Sequence, residues 1–311
     1  MHEAPNAILD AQKRISALTM TTAPMQTTIA HLARVSGRGY WSGNPVNLTL
    51  RPASQDSGIV FRRIDLPNRP EVAGQSCHRV DTNLRTKLID GSAAVEMVEH
   101  VMAALYGMGI DNCIVECDAC EMPGLDGSAM AIALAIENAG IEQLATPVRQ
   151  YRITETIRIV DQHAEIVAIP SQSDGLTVAY HLDYGTDSPI PASTSRFAID
   201  PDEFLQNIAP ARTFLPERDA SELQRMGVAQ HVTYRDLVVF GESGPIENTL
   251  RFPDECSRHK LLDVIGDLAL CGVRLHGTVI ARRSGHNLNG KLAEQLRLRY
   301  AQRLRSHSRA A

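Results

Sequence analysis

One histidine and two aspartates, placed at helical spacing, are the first candidates for chemically active residues in this chain. His259, Asp263 and Asp267 are each four positions apart, so their side chains project from one face of a predicted helix. A histidine and a carboxylate spaced in this way can bind one metal ion, and a third ligand from elsewhere would leave one coordination position open for catalysis. The same spacing also suits an ion pair on the helix surface, with Arg258 and Lys260 as neighbours.

Two further groups carry titratable side chains in unusual settings. Glu99 and His100 lie inside an apolar segment, where an uncompensated buried charge would be costly. His286 closely follows a predicted strand, and a histidine there could exchange a proton near neutral pH. Each pattern also has a simpler explanation. The first could be a surface glutamate beside a hydrogen-bonded histidine, and the second a capping or solvated histidine.

A fourth and more generic signal is a hydroxyl beside an aromatic ring. Thr213 and Phe214 fall in a predicted loop, where such side chains can line a pocket.

The elements that must position these residues follow a pattern that occurs twice. In the first half, alternating apolar residues predict a strand at 46–50 with a partner at 58–63, and a helix over 95–107 ends at a glycine. In the second half, a helix over 257–272 also ends at a glycine, and a strand over 274–283 follows. The sequence therefore predicts an α+β fold of two similar domains, each a β-sheet layer packed with helices.

The predicted domain organisation has three parts. Residues 1–24 form a leader that is helical or disordered, residues 25–146 the first domain and residues 147–311 the second, with the boundary at the segment ATPVRQ. The chain ends in a basic amphipathic helix over 291–309. This helix either docks on the second domain by its apolar stripe, which we favour, or makes a weak contact with an anionic membrane surface.

Composition argues against several other classes of protein. The net charge of −5 and an aromatic content of 5% do not favour binding to nucleic acid. No apolar run approaches the roughly 18 residues of a membrane-spanning helix, and the N-terminal segment does not resemble an export signal. The six cysteines are therefore expected to be reduced thiols of a cytoplasmic protein. We interpret Cys113, Cys117 and Cys120 as part of a buried strand and its end rather than as metal ligands.

Several motifs in this chain resemble, in the same order, those of the UDP-3-O-acyl-N-acetylglucosamine deacetylases, the zinc-dependent enzymes that commit precursors to lipid A synthesis. The resemblance covers roughly residues 27–293, and agreement of several separate motifs in one order is very improbable by chance. The matching segments are NLTLRPASQDSGIVFRRID, VEHVMAALYGMGIDNCIVECDACEMPGLDGSA (98–129), IAPARTF, RFPDECSRHKLLDVIGDLALCG and SGHNLNGKL.

The resemblance implies an active site at the interface of the two domains, with a zinc ion or iron(II) held by His100, His259 and Asp263. Glu99 would be the general base that takes a proton from the attacking water. His286 would stabilise the developing charge and protonate the leaving amine.

The resemblance also assigns supporting roles in binding an acylated amino-sugar nucleotide. Asp267 would orient the acid histidine, and Thr213 would donate a hydrogen bond to the oxyanion. Lys260 would contact the phosphate or sugar of the substrate, and Phe214 would pack on the sugar.

Two residues beside the expected pocket depart from the family pattern. The family's glycine-rich turn usually contains a histidine where this chain has Trp41, and Arg85 replaces a cysteine, alanine or threonine. An arginine adds a fixed positive charge and a fork of donors. We expect both residues to contact the substrate and to reshape the polar side of the pocket.

The expected passage for the acyl chain also differs from the family pattern. The family's Gly-Phe pair after the Thr-Phe motif is replaced by Leu215-Pro216, and its apolar, glycine-containing stretch aligns with the more polar 230–233. Asn83 and Ala220 fall where apolar liners are common. The leading prediction is a zinc-dependent deacetylase that hydrolyses the N-acetyl amide of the UDP-3-O-acyl-N-acetylglucosamine precursor of lipid A and releases acetate. These departures leave open, as an alternative, a paralogue that acts on a shorter acyl group or on another N-acetylhexosamine derivative. A non-catalytic binding or regulatory relative is a further alternative, which the complete catalytic set argues against.

Overall fold

A computed structural model of the protein describes residues 24–82 and 84–308. The predicted leader lies outside these residues apart from Pro24, and so do Asn83 and Arg309, the last residue of the predicted C-terminal helix.

Five strands form the sheet of the first half of the chain, up to residue 147. In spatial order they are β2 (Ala33–Arg38), β3 (Pro45–Pro52), β9 (Cys113–Cys117), β4 (Ile59–Arg63) and β5 (Glu71–Ala73). Strand β9 is antiparallel to β3 and parallel to β4, and it separates them. The predicted pairing of the segments 46–50 and 58–63 is therefore wrong. The alternation correctly marks one buried face of β3, but it carries no information about which strand lies beside it.

The sheet of the second half repeats this order and these directions. Its strands are β12 (Ile157–Asp161), β13 (Ala164–Ile169), β19 (Arg274–Arg282), β14 (Leu176–Leu182) and β15 (Ser193–Ala198), and β11 (Gln150–Arg152) pairs with the start of β19. Strand β19 is antiparallel to β13 and parallel to β14, as β9 is to its own neighbours. The repetition confirms the predicted α+β fold of two similar halves.

One helix precedes and one follows the inserted central strand of each sheet. They are α1 (Glu99–Gly107) and α2 (Met130–Ala139) in the first half, and α5 (Glu255–Ala269) and α6 (His286–Ser308) in the second.

The remaining elements lie outside the two large sheets. Strand β1 (Met25–Ile29) pairs with β10 (Ile141–Pro147). Two small sheets consist of β6 (Arg79–Val80), β7 (Lys87–Asp90) and β8 (Ala93–Glu96), and of β16 (Phe214–Pro216), β17 (Val238–Gly241) and β18 (Gly244–Pro245). The other elements are the helices α3 (Pro201–Glu203) and α4 (Glu217–Arg225) and helical turns at Ser76–His78 and Phe204–Ile208. Strand β10 pairs with the first half and β11 with the second, so the pairing partner changes between residues 147 and 150.

Helices α1 and α5 pack against each other where the two halves meet. Both are buried nearly all round, which is typical of helices in the interior rather than on the surface. Gly266 allows their close approach, because a Cβ atom at this position would lie 2.1 Å from the carbonyl oxygen of Glu99. The start of α1 is therefore held directly against the middle of α5.

Helix α6 is docked on the second half rather than free. Leu292 and Leu296 of its apolar stripe are fully buried, whereas Leu304 near its end is exposed. This packing confirms the docked arrangement that we favoured, and a membrane contact of the helix is not supported. Among the described residues, no helix combines the length and the apolar character needed to cross a bilayer.

Candidate active site

The contact between α1 and α5 brings three potential metal ligands together. His100 is the second residue of α1, while His259 and Asp263 lie one turn apart on α5. The Nε2 atoms of His100 and His259 are 3.7 Å and 3.5 Å from Oδ1 of Asp263. The ligand atoms of these three residues all lie within 4.8 Å of one another. The structure thus places the three predicted ligands in one buried cluster drawn from both halves of the chain.

The donor atoms of this cluster fit a divalent metal ion. Oδ1 of Asp263 is buried and has no hydrogen-bond partner among the described residues, while Oδ2 accepts a hydrogen bond from Lys260 Nζ at 2.5 Å. Such an orphaned carboxylate oxygen between two imidazole nitrogens needs a cation. Two nitrogens and one carboxylate oxygen suit zinc or iron(II), and with three protein ligands one position stays open for substrate.

Both histidines of the cluster are prepared to act as neutral ligands. Burial lowers the pKa of His100 to about 3 and also lowers the pKa of His259, so each ring is uncharged near pH 7. Nδ1 of His259 lies 3.1 Å from the carbonyl oxygen of Ala211, and donating its hydrogen there leaves Nε2 free to face Asp263. Burial opposes the charge of Asp263, but Lys260 and the histidines outweigh it and hold its pKa well below the usual range.

Glu99 lies directly beside His100 and has the properties of a general base. Its carboxylate is almost fully buried, and its Oε2 accepts a hydrogen bond from the backbone N–H of Thr86 at 2.9 Å. Burial raises the pKa of Glu99 to about 7, close to the value at which a base works best near neutral pH. The side chain can therefore take up a proton at this site without being fully protonated beforehand.

His286 lies at the start of α6 and has the properties of a proton donor. Its Nδ1 is 3.0 Å from Oδ2 of Asp267, which also accepts a hydrogen bond from Asn289 Nδ2 at 2.9 Å. Burial opposes a charged ring, but the carboxylates of Asp267, Glu99 and Asp263 outweigh it and raise the pKa of His286 to about 9. The ring is therefore protonated near neutral pH, and it lies in the same cavity as Glu99.

A cavity of about 760 Å³ connects these groups and contains most of the predicted site residues. Thr213, Phe214 and Lys260 line it together with the metal-binding cluster, Glu99 and His286. Phe214 also packs edge-on against the ring of His259, with centroids 6.2 Å apart. Lys260 lines the cavity, but its Nζ is bonded to Asp263, so its contact in the described structure is with a metal ligand. Asp267 lies behind the cavity, against His286.

The two departures from the family pattern form one unit at the cavity wall. Trp41 lines the cavity, and the guanidinium of Arg85 stacks over its ring at 4.5 Å from the ring centroid. Nε of Arg85 donates to Oε2 of Glu96 at 2.9 Å, and the carboxylate of Glu121 accepts hydrogen bonds from the backbone N–H groups of Trp41 and Ser42. Arg85 thus contacts the indole ring that lines the cavity, and its direct contact with substrate stays a prediction.

The polar segment that was expected to line the acyl passage is only partly directed into the cavity. Val232 lines the cavity, but the side chain of Gln230 bonds to the carbonyl oxygen of Gln224 at the end of α4. His231 packs against Gly43 of the glycine-rich turn instead. The carbonyl oxygen of Gln224 also accepts a hydrogen bond from the backbone N–H of Gly227, so Gln230 adds a second donor to this helix end and its side chain is directed away from the passage.

The structure also shows functional neighbours that the sequence did not single out. Thr86 contacts both Glu99 and Asp267, and Asn289 shares Asp267 with the acid histidine. Asn289 lies one helical turn after His286, a spacing that could have identified it. Thr86 lies in an irregular segment with no periodic pattern, so no signal in a single sequence could have found it.

Comparison with known proteins agrees with this geometry. The profile of the UDP-3-O-acyl N-acetylglycosamine deacetylase family matches residues 26–297. The UDP-3-O-acyl-N-acetylglucosamine deacetylase of Anaeromyxobacter dehalogenans (strain 2CP-C) is 40% identical over 276 residues, which cover 87% of each chain. That of Pseudomonas entomophila (strain L48) is 36% identical over 275 residues, covering 87% of this chain and 89% of the relative. This chain therefore belongs to the UDP-3-O-acyl N-acetylglycosamine deacetylase family of metalloenzymes, and it is a hydrolase of the lipid A biosynthetic step that this family catalyses.

Proposed function

We propose that this protein is a zinc-dependent cytoplasmic enzyme that hydrolyses the N-acetyl amide of a UDP-3-O-acyl-N-acetylglucosamine-type substrate and releases acetate. The observation that carries the proposal is the arrangement of a base and an acid around one metal-binding cluster. Glu99 and His286 face the same cavity as His100, His259 and Asp263. A bound zinc ion would polarise the acetyl carbonyl and favour deprotonation of water.

The side chains of this chain then divide the remaining work. Glu99 takes a proton from the attacking water, for which its raised pKa is suited. The hydroxyl of Thr213 donates a hydrogen bond to the oxygen that becomes negatively charged. Protonated His286 gives its Nε2 proton to the departing amine, while Asp267 holds Nδ1 and stabilises the charged ring before transfer. The acetyl carbon–nitrogen bond breaks as the amine receives this proton.

The shape of the cavity supports an acylated sugar nucleotide as substrate. Apolar side chains line the part that lies against β16, α4 and the segment before β17, and such a wall suits an acyl chain, which gains about 0.8 kcal/mol per buried CH₂. These liners are Leu215, Leu223, Ala229, Val232 and Leu237. Lys260 and Phe214 line the same cavity and contact Asp263 and His259 of the metal-binding cluster, which supports their proposed contact with the phosphate or sugar.

The test is a deacetylation assay of the purified, zinc-loaded protein on UDP-3-O-acyl-N-acetylglucosamine, with acetate release as the readout. We expect turnover that a His286→Ala variant largely loses, while a His181→Ala variant, altered on the exposed face of β14, keeps it. No acetate release by the wild-type protein would contradict the proposal.

A second candidate is a deacetylase of another N-acetylhexosamine derivative. The observation that favours it is Trp41, because an indole fills part of the cavity wall where the family usually has a histidine. Simpler N-acetyl sugars in the same assay distinguish the two: a higher kcat/KM for a substrate without the 3-O-acyl chain would favour the second candidate.

A further inference from the structure

Thr86 contacts the general base and the partner of the general acid at the same time. It precedes β7, is 1% exposed, and belongs to the first half of the chain. Its backbone N–H donates to Oε2 of Glu99 at 2.9 Å. Its hydroxyl donates to Oδ1 of Asp267, on α5 of the second half, at 2.5 Å.

The hydroxyl of Thr86 completes the hydrogen bonding of a fully buried carboxylate. Oδ2 of Asp267 is taken by Nδ1 of His286 and Nδ2 of Asn289, at 3.0 Å and 2.9 Å. Oδ1 receives the hydroxyl of Thr86, so each oxygen has a partner and the carboxylate plane is fixed. Because His286 takes its orientation from Oδ2, a rotation of this carboxylate would turn the ring away from the cavity.

We infer that Thr86 is a positioning residue for the deacetylation reaction. It fixes the position of the base, Glu99, relative to the acid, His286, across the interface of the two halves. The inference rests on the proposed roles of Glu99 and His286. Thr86 reaches one through its backbone and the other through its hydroxyl and Asp267. A shift of one half against the other therefore disturbs both proton-transfer groups together.

The two functions of Thr86 can be separated by substitution. Thr86→Val keeps the shape and the N–H group but removes the hydroxyl, and Thr86→Ser keeps the hydroxyl. We expect Thr86→Val to lower kcat about 10- to 100-fold, which is part of the roughly 10²–10⁴-fold that proton transfer contributes, with KM changed less than about twofold. Thr86→Ser should restore most of the rate. Zinc content should match the wild type in both variants.

A matched control separates this role from general stability. Thr28, on β1, is also buried, and its hydroxyl accepts a hydrogen bond from the backbone N–H of Ala53; neither residue lines the cavity. Thr28→Val should lower the melting temperature without lowering kcat. A double-mutant cycle gives a second criterion: on an Asp267→Ala background, Thr86→Val should cause little further loss of rate, because both changes break the same link.

Several outcomes would overturn the inference: an unchanged kcat in Thr86→Val, a rise in KM alone, a Thr86→Ser variant as slow as Thr86→Val, or additive losses in the cycle. Failure of the proposed function looks different, since the wild-type protein itself would then release no acetate. The Nδ1–H resonance of His286, observed by NMR, tests Thr86 in that case as well. We expect Thr86→Val to shift or broaden it, and an unshifted resonance would contradict the inference.

Discussion

Glu99 and His286 can act as base and acid because their surroundings raise both of their pKa values above the usual ones. Burial raises the pKa of Glu99 to about 7, and the carboxylates around His286 raise its pKa to about 9. Near neutral pH the glutamate can therefore still be ionised while the histidine is charged. In a single turnover, Glu99 can therefore take up one proton and His286 can release one.

The role of Glu99 as base leads to the first prediction. Glu99→Gln keeps an oxygen that can accept the hydrogen bond from Thr86 but cannot take up a proton. We expect kcat to fall about 10²–10⁴-fold, because general-base catalysis contributes this much, while one equivalent of metal is retained. Steady-state kinetics and metal analysis of the same preparation check both parts. A variant with the full rate on the true substrate would show that another group is the base.

At the scale of elements, the approach of α1 to α5 determines whether the metal-binding cluster exists. Gly266 allows this close approach because it has no side chain, and the approach brings His100 to the ligands on α5. The sequence pattern marks α5 as a helix with potential metal ligands, but the spacing of those ligands does not show that a glycine within the helix sets its separation from α1.

The second prediction concerns this contact. In Gly266→Ala the new Cβ would start 2.1 Å from the carbonyl oxygen of Glu99, so the helices must separate. We expect a loss of about 1–3 kcal/mol in the free energy of unfolding, as for other overpacked cores, and a weaker affinity for metal. Gly285→Ala is the control for stability, because its Cβ would meet nothing within 4 Å. Equal stability and metal affinity in the two variants would mean that the helix contact is adaptable.

The third prediction concerns the segment between α4 and β17, where Val232 faces the cavity and Gln230 faces away. We still expect the protein to discriminate against long acyl chains, now because of the bulk of Val232. Val232→Gly should raise kcat/KM for a fourteen-carbon substrate relative to a short one, since each CH₂ that becomes buried contributes about 0.8 kcal/mol. Gln230→Gly is the matched control and should leave the ratio unchanged. A steep preference of the wild-type protein for the long chain would contradict the prediction.

At the scale of the whole molecule, the sequence predicted the elements and the ligands better than their connections. The pattern of the two halves was sufficient for the fold class. The helical spacing of His259 and Asp263 indicated two candidate metal ligands, whereas His100 was added only through the resemblance to the family. The insertion of β9 between β3 and β4 was not predictable, because alternation describes the faces of a strand and not its neighbours. The stacking of Arg85 on Trp41 was not predictable for a similar reason, since it depends on a turn that only the tertiary fold brings near.

The fourth prediction concerns removal of the metal from the whole protein. The ligand set joins α1 of the first half to α5 of the second, so chelation should lower the melting temperature. A ligand at a hundred times its dissociation constant contributes about 2.7 kcal/mol to stability when it binds only the folded state. Thermal unfolding with and without chelator measures this effect. A His259→Ala, Asp263→Ala double variant should bind no metal and show no response, whereas an equal response in this variant would contradict the assigned ligands.

Because the metal ligands are divided between the two halves, the amount of this protein in the cell should depend on the concentration of free metal. Neither half alone contains all three donors. The ion therefore does not stabilise an isolated half through this site, and it stabilises only the folded chain in which the two halves are in contact. By mass action, a higher concentration of free metal increases the fraction of folded protein. When metal is scarce, a larger fraction of the protein is unfolded and can be degraded by proteases. We therefore expect metal-starved cells to contain less of this protein, in addition to having less of it active.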